Sequence, residues 1–200
     1  MPVSVQAVSP ALSHRVLADL IPGSRAKVTA RNIALVVGGA VFMSIFAQLA
    51  LPLPFTPVPL TLGSFAVLMT GAALGPQRAG LSMALYLAAG MAGAPIFSDH
   101  GSGYAFASFG YILAYIPAAV FVGYLARRGR DRSPIKLFGG VALASLMIYA
   151  AGVPWLMAWT GADLQTALVQ GVLPFLPGDL VKTLAVAGLL PAAWRLINRR

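Results

Sequence analysis

The chain is predicted to be an all-α, polytopic membrane protein of six transmembrane helices, and three observations predict it. Of its 200 residues 58% are hydrophobic and only 10% charged, with a mean hydropathy of +0.82. A soluble domain carries about 25% charged residues, so too little polar side chain is present to coat a globule in water. Six apolar stretches of helix length follow one another with short connections, and six spans of about 20 residues fill a chain of this size as one embedded domain. Finally, the basic residues are segregated: 13 of the 14 lie before the first stretch, after the second, after the fourth or after the sixth. The alternate segments 52–59, 92–108 and 159–170 contain none. Because Lys and Arg concentrate in cytoplasmic loops, this alternation requires an even number of spans with both termini cytoplasmic. The net charge of +9 is therefore topological. Membrane lipid is the expected surroundings, and no nucleic acid is expected as a partner.

Residues 1–30 carry Arg15, Arg25 and Lys27 with prolines at 2, 10 and 22, and their apolar runs are too short for a signal-peptide core. They are read as a cytoplasmic amino-terminal arm with a short amphipathic helix around Ala11 to Ile21, followed by a membrane domain over 31–200. Hydropathy places the spans at Arg31 to Leu51, Leu60 to Leu74, Gln77 to Met91, Phe109 to Ala126, Lys136 to Ala158 and Pro177 to Arg195. Spans two and three, at about 15 residues and near 22 Å, are either tilted neighbours in a thinner region or continue by extra turns. Gly75-Pro76-Gln77-Arg78 between them is a tight helix-breaking connection. Trp159 and Trp194, near span ends, are expected to anchor at the membrane interface.

Two places carry possible chemistry. Lys182 alone among the basic residues lies away from the cytoplasmic edge, three positions after Asp179 in Pro177-Gly178-Asp179-Leu180-Val181-Lys182. Positions i and i+3 share a helix face, and Pro177 with Asp179 suits a helix start. Lys182 is 13 residues from Arg195, about 20 Å along the axis, too far to snorkel to the cytoplasmic side. Either the pair is a binding site facing a polar cavity, or Asp179 caps the helix while Lys182 snorkels outward. The second place is the outer loop Gly93 to Tyr104, which combines glycines with donors, acceptors and aromatics. Small residues at Ala30, Ala34 and Gly38 let another helix approach span one, and Gly71 and Gly75 form a GxxxG expected to serve internal packing.

Much chemistry is excluded. With no cysteine and only His14 and His100, neither of them inside a predicted span, metal, cofactor and thiolate sites and an intramembrane Ser-His protease have almost nothing to work with. Gly178 to Thr183 ends in Lys-Thr but lacks the glycine before the lysine, so it is no phosphate-binding loop. Asp179 stands almost alone inside the spans, unlike the carboxylate relays of proton pumps. No catalytic residue is assigned; a substrate-binding membrane protein, not an enzyme, is expected.

Phe55-Thr56-Pro57-Val58-Pro59-Leu60-Thr61-Leu62, Gly93-Ala94-Pro95-Ile96-Phe97, Phe109-Gly110-Tyr111-Ile112, Gly152-Val153-Pro154-Trp155-Leu156 and Pro174 to Lys182 resemble the BioY family. These are the biotin-specific substrate-binding S components of energy-coupling factor (ECF) transporters. The resemblance covers about Arg31 to Arg195 with motifs in the family's order. It implies an ECF S-component-like bundle in the bacterial inner membrane, with an outward pocket closed by loops. Asp179 and Lys182 match the family's Asp-x-x-Lys of the biotin pocket, and Ser98 or Asp99 falls where a polar loop ligand is expected. Phe97 and Tyr104 are expected to cover the apolar body of biotin, and Tyr111 to line the pocket. The resemblance also implies partners: a membrane T component and two cytoplasmic ATPase subunits, docked through Ala30, Ala34 and Gly38, with whole-body toppling as the transport motion. Two departures stand out. Gly63 replaces a glutamine that many members have, and Tyr111 lies where some present a basic residue, leaving Lys182 as the one cation within reach of the biotin carboxylate. The alternatives are a solitary biotin facilitator or ion-coupled carrier, an S component for another vitamin, and a structural subunit without ligand.

Overall fold

The structure, a computed structural model, describes residues 15–20 and 25–198. Its helices are α1 (Arg25–Gln48), α2 (Gly63–Leu74), α3 (Pro76–Met91), α4 (Phe109–Leu113), α5 (Tyr115–Arg127), α6 (Pro134–Thr160), α7 (Leu164–Gly171) and α8 (Leu176–Asn198). Each of the six expected spans has a helical counterpart, with α4 and α5 sharing the fourth. The break at Ala114 has a local cause: Pro117 has no N–H to bond the carbonyl of Leu113, and its ring crowds that carbonyl. α1 begins six residues before the expected Arg31. The sixth region is longer than expected: α8 has 23 residues, about 34 Å at helical rise and enough for one crossing, and the short α7 precedes it. Among the described residues four helical stretches are long and apolar enough to cross a membrane, and α2 is a shorter apolar helix.

The chain is not purely helical. Ala50–Leu51 (β1) and Leu60–Thr61 (β2) pair antiparallel, Ala50 opposite Thr61 and Leu51 opposite Leu60. This ribbon closes the proline-rich 52–59 segment and takes up residues that hydropathy assigned to spans one and two. α2 gains no extra turns; its 12 residues reach about 18 Å, and the ribbon occupies the rest of its column. Pro76 at the first turn of α3 and Gly75 at φ +81° make the sharp connection between α2 and α3.

α2 lies at the centre, against α5, α1 and α8, while α3 packs on α1 and α5, and α6 on α4, α5 and α8. Close approach of α2 to α5 depends on Gly71, where a Cβ would meet the Ala119 carbonyl and the Val122 side chain; the GxxxG serves internal packing. The outer faces of α1, α6 and α8 expose Ile33, Val41, Ile45, Leu146, Val181 and Leu196, as expected of surfaces solvated by lipid.

Of the expected arm helix, residues 11–14 and Ile21 lie outside the described residues. Within them, Leu17–Leu20 form one 3-10 turn. Val16 is fully buried, and Asp19 pairs with Arg78 at 2.8 Å, whose Nε also donates to Asn32. Trp159 is half exposed, but Trp194 corrects the expectation of an interfacial anchor: it is 2% exposed, because its indole N–H donates to the buried Asp131 carboxylate and Arg132 lies 4.5 Å over its ring.

Candidate functional site

A pocket of about 600 Å³, counting the part open to solvent, lies where α1–α6 and α8 meet the β1–β2 ribbon and the 93–108 connection. Its charged centre is Asp179 with Lys182. Asp179 lies in the first turn of α8 and Lys182 in the second, and the i, i+3 spacing directs them to one side of the helix. Lys182 is 8% exposed and its Nζ donates to Asp179 Oδ1 at 3.1 Å and to Ser64 Oγ at 3.0 Å. Asp179 Oδ2 accepts from the Tyr149 hydroxyl. Asp179 therefore does not cap a helix and Lys182 does not snorkel; both point into the bundle. Ser64 reaches the lysine because α2 starts only at Gly63, putting residue 64 in its first turn at pocket depth.

Tyrosines build much of the wall. Tyr111 is wedged by its ring against Gly152, where a Cβ would overlap it, and its hydroxyl donates to the Gly171 carbonyl at 2.9 Å. Tyr115, one turn on, faces the pocket beside Thr61. Tyr149 comes from α6 and Tyr86 from α3, and Ile112, Ile148 and Phe175 supply apolar surface. The space beside Gly63 is already taken: a Cβ there would lie 3.1 Å from both the Tyr115 hydroxyl and Thr61 Oγ1.

Among the residues singled out from sequence, the structure brings Asp179, Lys182, Ser98 and Tyr111 to this pocket. Phe97, Asp99 and Tyr104 do not line it. Phe97 is 1% exposed and plugs the gap over Gly90, edge-on to Tyr86, with its carbonyl held by Gln48 Nε2 at 2.7 Å. It anchors the loop instead of covering a ligand. Gln48 also accepts from the backbone N–H of His100, and Asp99 and His100 adopt positive φ of 55° and 57°, which turns the Asp99 side chain to solvent. Tyr104 is 62% exposed and contacts Phe109 from outside. Sequence reasoning missed Ser64, Thr61, Tyr115 and Tyr149. The i, i+4 spacing of Tyr111 and Tyr115 on one helical face was the available signal for Tyr115; Tyr149 carries no motif.

Ala30, Ala34 and Gly38 lie on an exposed stripe of α1, and nothing in the described structure stands within 4 Å of a Cβ at Gly38. At the same end of the molecule as Arg78 and Arg132, the Asp131 carboxyl is pushed up to about 6 by burial, against the opposing pull of the Trp194 hydrogen bond and the Arg132 charge.

Fold and site together define a multi-pass membrane protein that holds a solvent-reachable pocket, largely apolar with one charged pair, inside a helical bundle. This is a substrate-binding transport protein rather than an enzyme. The chain belongs to the BioY family, whose model matches residues 22–199. It is 36% identical over 156 residues to the probable biotin transporter BioY of Pyrococcus horikoshii, covering 76% of this chain and 90% of that one. It is 33% identical over 168 residues to the biotin transporter BioY of Rhizobium etli, covering 77% and 89%. Its fold matches the crystal structure of the S component for biotin from an ECF-type ABC transporter, with a TM-score of 0.78 over 86% of this chain and 95% of that one, at 23% identity.

Proposed function

We propose that this protein captures biotin in the Asp179 pocket and carries it across the inner membrane, energised by a separate ECF T component and two cytoplasmic ATPase subunits. The observation that carries the reading is the unused hydrogen-bonding capacity of the buried pair. A carboxylate offers about four acceptor sites and an ammonium three donors. Two of the acceptor sites on Asp179 are filled by Tyr149 and Lys182, and two of the lysine's donors by Asp179 and Ser64. What remains is acceptor capacity on the carboxylate beside one donor on the ammonium. A cyclic ureido group presents the complement, N–H beside C=O. Charge-assisted bonds in a site shielded from water are strong, and the tyrosine walls suit the thiophane ring. Four relatives named for biotin transport at 33% identity or more support the same ligand.

In this reading both termini lie in the cytoplasm, residues 31–200 form the membrane domain, and the Ala30, Ala34 and Gly38 stripe receives the T component. Titration calorimetry of the purified protein with biotin, thiamine and riboflavin tests the substrate: binding of biotin alone is expected, and binding of another vitamin in its place would overturn the reading. Labelled-biotin accumulation in cells with and without the ATPase subunits tests energisation. Equal accumulation in both would establish the solitary carrier instead.

A further inference from the structure

Among the described residues, no Lys or Arg other than Lys182 lies at the pocket end of the molecule. Lys182 is the only Lys or Arg in the pocket lining, and it is already neutralised by Asp179 at 3.1 Å. Every other polar side chain of the lining is a hydroxyl. Two further charged residues at this end are acidic and exposed: Asp99, next to the lining residue Ser98, and Asp163, which caps α7 through the Thr166 N–H. Arg78, Arg128 and Arg132 lie at the opposite end, where they meet Asp19, Tyr124 and Trp194.

A ligand carboxylate buried in this lining would lose its hydration and gain no countercharge, while the field from Asp99 and Asp163 would repel it. Hydroxyls at Ser98 and Ser108 can donate to an amide or ester carbonyl as well as to a carboxylate. We infer that the pocket recognises the uncharged bicyclic head of its ligand and ignores the charge of the tail, so that biotinyl amides and esters are ligands on a par with biotin. This inference rests on the biotin reading above. It adds a substrate class, head-group biotinyl compounds with a neutral or cationic tail end, that a site built around an anion-binding arginine would reject.

Competitive calorimetry on the full chain in detergent or nanodiscs tests it with biotin, biotinamide, biotin methyl ester and biotinyl-lysine. Biotinamide is the decisive probe, because it matches biotin in shape and removes only the charge. A Kd for biotinamide within tenfold of that for biotin, or tighter, sustains the inference. A Kd more than tenfold weaker overturns it while leaving biotin capture intact. Absence of biotin binding itself brings down the underlying reading and the inference with it. The methyl ester and the lysine conjugate test the wider class: binding within tenfold of biotin sustains it, whereas their exclusion while biotinamide binds overturns the wider class and leaves only the indifference to tail charge.

Discussion

The two ends of the bundle each contain an aspartate that accepts a hydrogen bond from an aromatic side chain and has a cation beside it. At one end Asp179 meets Tyr149 and Lys182; at the other Asp131 meets Trp194 and Arg132. The chemistry is similar and the surroundings are opposite. Asp179 borders a cavity, and its cation spends two of three protons on the protein and keeps one for a ligand. Asp131 has no accessible surface and does not line the pocket, and it joins the connection between α5 and α6 to α8. A buried charge beside an open cavity is a binding group, whereas the same charge in a closed contact is a clasp. Hydrogen-bond partners alone do not separate them; the space next to them does.

The largest effect is expected at the pocket. Asp179→Asn and Lys182→Met should each weaken biotin binding by at least about 30-fold, since truncating one partner of a buried charged contact costs about 2–5 kcal/mol. Calorimetry reads this directly, and unchanged affinity in both variants would make the pair a clasp like the other. Asp131→Ala should do the reverse. It leaves the Trp194 indole N–H buried without an acceptor and should lower stability by about 1–3 kcal/mol, seen as a lower Tm, with biotin affinity unchanged.

The pH response sharpens the contrast. Burial raises the Asp131 carboxyl from its ordinary 3.8 to about 6, so between those values the folded state holds the proton more tightly than the unfolded one. Stability from this group is complete below about pH 4 and is lost as pH rises through 6. Asp131→Asn should flatten that fall in Tm across pH 4 to 6. The smallest effect is expected for Arg78→Ala, whose partly exposed pair with Asp19 is worth up to about 1 kcal/mol. Thermal melts should shift by a few degrees at most, and biotin binding should stay as it is.

Much of this was legible in the chain. Asp179 and Lys182 stood out because one basic residue broke a strict segregation, and an ionisable pair at i, i+3 inside a span needs a partner. The motifs around Thr61, Phe109 and Gly152 marked the segments that form the wall. What stayed hidden was the direction of side chains in the 97–104 loop. Phe97 is apolar and Tyr104 aromatic, as a ligand cover would be, yet packing over Gly90 took one inward and left the other outside. Tyr149 and Ser64 reach the pair from sequence positions 30 residues and 118 residues away, a meeting that no local pattern encodes.

The sequence by itself determined the number of spans, the end at which the basic residues gather and the identity of the buried pair. Hydrophobic transfer and the placement of charge against a bilayer act residue by residue, and so can be read in order along the chain. Only the tertiary structure decided which hydroxyls surround the pair, which aspartate borders a cavity and which is sealed. Those outcomes depend on how α2, α6 and α8 approach one another, and close packing of distant segments is a property of the assembled bundle.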